Sequence, residues 1–176
     1  MAVFSRRGFI RASLLGSGAV VLGGIAVKTV ADQSDVSLSA LKDELNAMPW
    51  ASLTNAGSWN ISQVLQHLAQ SIDYSMDGYP QMKPEWFRLT AGSAAFNVFG
   101  AMGKMRHPLD QEIPGATPLV VQMPVADALA QLNMAIDRFL QNTAPLAPHF
   151  AYGDLSQRQY ETAHWLHIRN HLGIIA

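Results

Sequence analysis

The sequence predicts an all-α protein, a four-helix bundle with one long connection between two of its helices. Apolar side chains recur every three or four residues through most of residues 32–176, which is the period of an amphipathic helix. No stretch alternates with a period of two strongly enough to predict a strand. Residues 106–123 contain three prolines and predict the long connection, an extended loop.

The first two helices have clear predicted ends. The first should follow a cap at Asp35 or Ser37 and stop at Pro49. The second should begin near Ser58 or Asn60 and run to about residue 76, before a Gly-Tyr-Pro turn. Their apolar stripes are Leu38, Leu41, Leu45 and Met48 in the first, and Ile61, Leu65, Leu68, Ile72 and Met76 in the second.

The rest of the chain predicts the two remaining long helices of the bundle, preceded by a shorter helical segment. Residues 84–105 are apolar on several sides and predict one or two short helices, bent near Gly92 and Gly100. Residues 125–142 predict a long amphipathic helix. Its stripe is Val125, Leu129, Leu132, Ile136 and Phe139. The last helix should begin at Asp154 or at the capping box that Ser156 opens, and continue to the C-terminus.

Composition excludes several classes of function. The chain of 176 residues has no cysteine, which rules out disulfides, thiolate metal sites, iron–sulfur clusters and cysteine nucleophiles. Net charge is −1, and residues 1–31 carry four basic groups and no acid. The rest of the chain therefore holds 12 − 4 = 8 basic against 13 acidic groups. An acidic body of this kind predicts no nucleic-acid partner.

The basic N-terminus predicts a targeting segment. Arg6 and Arg7 precede sixteen uncharged residues, Ala12 to Val27, a run too short and glycine-rich for a comfortable membrane span. The segment Ser-Arg-Arg-Gly-Phe-Ile-Arg at positions 5–11 resembles a bacterial twin-arginine signal. That resemblance implies a signal peptide over residues 1–31, cleaved after Ala31, and export of the folded protein to the periplasm by the twin-arginine translocase.

Two alternatives to a cleaved signal stay open at this point. An uncleaved signal would anchor the protein to the membrane. An ordinary amphipathic or core helix would carry the Arg6-Arg7 pair by coincidence. In all three cases residues 32–176 form the single folded domain, because about 145 residues bury enough surface for one core.

Three histidines on one face of the last helix predict a metal site. Tyr160, His164, His167 and His171 form one stripe, which should face the bundle interior. Buried imidazoles are costly without a shared partner, and His167 and His171 have the i, i+4 spacing that can place both rings on one ion. His67 of the second helix is the candidate third ligand, across a helix–helix interface.

Two sequence segments resemble the DinB-like metal-binding four-helix bundles, and in particular their DUF1569 branch. The similarity covers roughly residues 35–176. The residues that carry it are Trp59, Leu65, His67, Leu68, Ser71 and Gly78-Tyr79-Pro80 in the first segment, and Phe150, Gly153, Leu155, Ser156, His167, His171 and Leu172 in the second.

This resemblance implies an up–down–down–up bundle in which His67, His167 and His171 bind a divalent metal, with zinc or nickel favoured. It also implies homodimers. Candidate outer-shell residues around the ligands are His164, Asn170 and Asp73. Members of the branch often have histidine and glutamine near the last ligand, where this chain has Asn170 and, four or five residues on, isoleucines. The role of those neighbouring positions is therefore open.

The remaining histidines, His107 and His149, stand beside prolines and are expected in turns or at the surface. Two functions fit the predicted site. The first is a metal-dependent enzyme that would use the open coordination position, with an unidentified small-molecule ligand, and the resemblance to the DinB-like bundles implies the thiol-transferase type. A non-catalytic binding or structural bundle would use the metal only to fix its helices. A third function, metal storage or delivery, fits the site less well, since a single site would hold only one ion per chain.

Overall fold

The structure is a computed structural model that describes residues 36–176. The predicted signal, with Arg6, Arg7 and the cleavage position Ala31, lies outside the described residues, as does Asp35. Within the described part, the chain is helical and forms no strand, only two isolated bridges. The all-α prediction is confirmed. No helix among these residues combines the length and the hydropathy that crossing a membrane requires.

Four long helices form the bundle and a fifth stands beside it. The helices are α1 (Leu38–Ala47), α2 (Ile61–Asp77), α3 (Ser93–Met102), α4 (Val125–Gln141) and α5 (Gln157–Leu172). The bundle consists of α1, α2, α4 and α5: α2 packs along α4, and α5 packs against α1 and α2, while α3 covers α5 from outside.

The predicted apolar stripes supply the core between these helices. Leu45, Leu65, Leu132, Ile136 and Phe139 are each fully buried. Burying a side chain of this size stabilises the fold by about 1.5–3 kcal/mol. The same stripes orient α2 and α5, and this orientation turns their polar positions toward one another.

Side-chain caps fix where the helices begin. The hydroxyl of Ser37 accepts a hydrogen bond from the backbone N–H of Ala40. Asn60 caps α2 and Ser156 caps α5, in each case with a reciprocal glutamine three residues later. Each cap satisfies backbone N–H groups that have no partner inside the helix. Of the alternatives, the structure therefore selects Asn60 over Ser58 and Ser156 over Asp154.

The last helix does not continue to the C-terminus as predicted. It ends at Leu172, and the chain beyond Gly173 pairs with the segment before α2. The backbone N–H of Thr54 donates to the carbonyl of Ala176 at 2.8 Å, and the Ala176 N–H donates back at 3.0 Å. These bonds satisfy backbone groups that a frayed terminal turn would leave to water, so the pairing overrides the helical pattern.

The segment before α3 contains the predicted distortion. A single turn at Glu85–Phe87 leads into a π-helical turn, Arg88–Gly92, and then into α3. Gly92 meets the turn that precedes α5: a Cβ added to it would lie 1.8 Å from the carbonyl oxygen of Ala151. Glycine is required there because the two backbones are in contact. Gly100 lies inside α3, which ends at Met102 and is capped by Gly103 in the left-handed region.

The loop from residue 103 to residue 124, called the long loop below, is held by polar side chains of α2. Gln66 makes two hydrogen bonds to the backbone of Val120, each 2.9 Å long. One turn further along α2, Gln70 donates to the carbonyl of Thr117 at 2.8 Å. The loop therefore has a defined path across the bundle although it contains no helix or strand.

Candidate metal centre

The three predicted ligands come together. The Nε2 atom of His167 lies 3.2 Å from Nε2 of His67 and 3.2 Å from Nε2 of His171. One ring nitrogen from each of the three lies within 4.8 Å of the other two. His67 is 3% exposed and His171 is fully buried. We call His67, His167 and His171 the histidine triad.

Packing and helical spacing explain this convergence. His167 and His171 are one turn apart on α5, so their rings project from the same face. His67 projects from the middle of α2, which packs against α5. Two nitrogens bound to one tetrahedral ion at 2.0–2.1 Å are about 3.3 Å apart. The 3.2 Å spacings of His167 to His67 and to His171 therefore fit ligation to one divalent ion, and all three ligating nitrogens lie within 4.8 Å of one another.

The hydrogen bonds of the triad are only partly satisfied. Nδ1 of His167 is 3.2 Å from the hydroxyl oxygen of Ser71, which orients the ring. The Nδ1 atoms of His67 and His171 are buried and have no partner within residues 36–176. An ion bound by the three Nε2 lone pairs would fix the proton on each Nδ1, and of these three N–H groups only that of His167 has a partner among the described residues.

Burial keeps these imidazoles neutral. Desolvation lowers the pKa of His67 to about 4 and that of His171 to about 3, and the neighbouring histidines add to both shifts. Desolvation first, and then the other histidines, holds the pKa of His167 well below its usual range. Neutral imidazole is the form that binds metals, so the triad is in the ligating state at neutral pH.

A cavity of about 230 Å³ opens onto the triad. His67 and His167 form part of its wall, while His171 lies behind them. The other lining residues are Ser71, Lys83, Met105, His107, Gln111, Glu112, Ile113, Pro114, His149, Phe150, Ala151, Tyr152, Ala163 and His164. Most of the exposed area of the wall is apolar, although five histidines and five other polar side chains contribute to it, and such a mixture suits a small-molecule site.

The structure places the three candidate outer-shell residues differently. His164 is buried and its Nε2 lies 3.2 Å from the hydroxyl oxygen of Ser75, one helical turn from the triad. Asp73 accepts a hydrogen bond from Arg138 at 3.1 Å, on another face of α2. Asn170 has a buried Nδ2 without a partner among the described residues. Asp73 therefore forms an ion pair with Arg138 at the surface and does not contact the triad.

His107 lies in the long loop and is partly exposed, but the expectation of a turn or surface residue did not include its position beside the triad. Its ring centre lies 4.8 Å from that of His167 and 5.4 Å from that of His171. The long loop carries it to the triad, and no periodicity in the sequence could indicate that. A histidine within a long proline-rich connection was the only available signal.

His149 is in a turn, as expected, but it is buried. Its Nδ1 accepts hydrogen bonds from the backbone N–H groups of Ala151 and Tyr152, and its ring stacks on the Tyr152 ring at 4.2 Å. Desolvation lowers its pKa to about 3. This imidazole therefore holds the 149–153 turn, which forms one wall of the cavity.

Comparison with known proteins identifies the family of the chain. The model of a family described as "Protein of unknown function (DUF1569)" matches residues 32–176. The chain belongs to the DUF1569 family. The matched range includes every residue of the triad and of the cavity wall. No curated protein and no solved structure matches the chain.

Membership of the DUF1569 family accounts for the sequence signatures around the triad. It leaves the activity open, because the family description states no function. The chemistry of this DUF1569 protein must therefore be argued from the triad and its cavity.

Proposed function

We propose that the histidine triad binds one divalent metal ion, zinc or nickel, and that the protein is a metal-dependent enzyme of the transferase type. The convergence of three Nε2 atoms beside a cavity supports this proposal. Three protein ligands leave one tetrahedral position, and the cavity lies on the side of His67 and His167. Three histidines with an open position is the ligand set of catalytic rather than structural zinc sites.

The cavity wall defines what the protein's own residues would do. Phe150, Tyr152 and Met105 provide apolar surface for a small ligand, and the buried turn at His149 keeps that surface in place. Ser71 orients His167 from the other side. When bound, the metal would supply Lewis acidity and stabilise a coordinated thiol as its thiolate. We therefore favour a thiol as one substrate.

Metal binding to the purified protein tests the proposal. We expect about one zinc ion per chain and a higher melting temperature, because an ion present at one hundred times its dissociation constant stabilises the folded state by about 2.7 kcal/mol. A cobalt-loaded sample should develop a thiolate charge-transfer band when 2-mercaptoethanol is added. The proposal would be contradicted if the purified protein bound no zinc and its melting temperature did not change when zinc was added.

A non-catalytic metal-stabilised bundle is the second candidate. It is favoured by the depth of His171, which is fully buried and does not line the cavity. In that case zinc would raise the melting temperature as above, but the cobalt-loaded protein would give no thiolate band. The two measurements together therefore separate a site open to ligands from a purely structural one.

We also propose export to the periplasm by the twin-arginine translocase, with the signal cleaved or retained as an anchor. The motif at Arg6 and Arg7 supports this part of the proposal. Changing both residues to lysine should leave the folded protein in the cytoplasm, as measured by fractionation. Unchanged export of the variant would show that the twin-arginine route is not used.

A homodimer is the remaining proposal on partners. It is supported by a group of large apolar side chains exposed on α3 and the turns before it. These are Trp86, Leu89, Val98 and Met102. An exposed apolar group of this kind is typical of a surface that contacts another protein.

A further inference from the structure

His107 reaches the triad from outside the bundle. Its ring centre lies 4.8 and 5.4 Å from those of His167 and His171. Within the triad the corresponding ring separations are 4.9–5.2 Å. A fourth imidazole therefore lies about as close to two of the three predicted ligands as these ligands lie to one another. It also lines the cavity, on the side from which a small ligand would approach.

The hydrogen bond of His107 prepares its other nitrogen for ligation. Nδ1 lies 2.7 Å from the carbonyl oxygen of Pro108, and because a carbonyl only accepts, Nδ1 must carry the proton. Nε2 then has a free lone pair. Metal-binding histidines usually donate their second nitrogen to a carbonyl or carboxylate in this way.

The free nitrogen of His107 has no other partner. Its Nε2 atom is buried and makes no hydrogen bond to residues 36–176. A buried acceptor without a partner is energetically unfavourable, so its position beside the triad calls for a partner that the described residues do not supply. The absence of a partner and the short distance to the triad both point to a ligand that lies between the four rings.

The long loop is anchored on both sides of His107. Met105 and Ile113 are buried below it, and the hydroxyl of Ser58 donates to Asp110 at 2.9 Å. Further along, the two hydrogen bonds of Gln66 hold Val120. These contacts keep the long loop, and His107 with it, beside the triad.

We propose that His107 is the fourth protein ligand of the metal held by the triad, and that a ligand entering the cavity must displace it. This inference rests on the proposed metal centre. His107 is outside the group of three whose ligating nitrogens lie within 4.8 Å of one another. Binding therefore requires a short inward movement of the loop, and the reverse movement opens the coordination position. The long loop thus controls access to the metal.

X-ray absorption at the zinc edge of the zinc-loaded full-length protein tests this directly, since ring scattering counts the bound imidazoles. We expect four imidazoles in the wild type and three in His107→Ala. The zinc affinity should fall by at least about 10-fold, the lower limit seen for loss of even an outer-shell partner. His107→Gln keeps most of the side-chain volume and should also lose one imidazole.

Gln111→Ala is the matched control, because Gln111 lies on the same loop and lines the same cavity. It should keep four imidazoles and the wild-type zinc affinity. Three imidazoles in the wild type and in both His107 variants would overturn the role of His107 and leave the triad intact. A wild type that binds no zinc would overturn the metal centre itself, and the role of His107 with it.

Discussion

Replacing His167 with alanine should abolish zinc retention. His167 is the central member of the triad, since its Nε2 is 3.2 Å from both of the others, and Ser71 orients its ring. Without it, His67 and His171 remain as two ligands from different helices. We expect zinc affinity to fall by more than about 100-fold, the upper range for loss of an outer-shell partner alone. Isothermal titration calorimetry on wild type and variant measures this.

His164→Leu is the control for that experiment. His164 lies one turn earlier on α5 and is buried, but it contacts Ser75 and not the triad. Ser75 also donates to the carbonyl of Ile72, so its hydroxyl keeps a partner in the variant. This variant should retain wild-type zinc affinity. Equal losses in His164→Leu and His167→Ala would show that helix packing, and not ligation, controls binding.

The metal-free protein should lose stability as the pH falls below about 6.5. Desolvation lowers the pKa values of His149 and His164 to about 3 in the folded state, while unfolded histidine titrates near 6.5. Between these values the unfolded chain binds protons that the folded chain does not, so the free energy of unfolding decreases as the pH falls. The stabilisation is complete above pH 6.5 and is lost as the pH falls toward 3.

Each of these histidines contributes a slope of about 1.4 kcal/mol per pH unit within that range. Urea unfolding of the metal-free protein at several pH values between 7 and 4.5 measures the total slope. His164→Leu should reduce this slope by about 1.4 kcal/mol per pH unit, which corresponds to one proton, because the titrating group is removed and the apolar packing is kept. An unchanged slope in His164→Leu would mean that His164 is not buried as a neutral group.

Local patterns were sufficient to predict the helices of the bundle and most of the triad. Helical periodicity requires only neighbouring residues, and the caps at Ser37, Asn60 and Ser156 are satisfied within one turn. The i, i+4 pair on α5 follows from the same geometry. His67 could be added because an apolar stripe fixes which way α2 faces, and resemblance to a known family supported the choice.

The positions of His107 and His149 depend on the tertiary structure alone. The position of His107 depends on hydrogen bonds between α2 and the long loop. One of them is the bond from Gln70 to Thr117, whose partners are 47 positions apart. The chain terminus likewise leaves its helix to pair with Thr54, 122 positions away. The sequence alone determined the helices and their apolar faces, because those depend on interactions within a few turns. The path of the loop was decided by backbone groups that found partners on a distant helix, and no local pattern records such a choice.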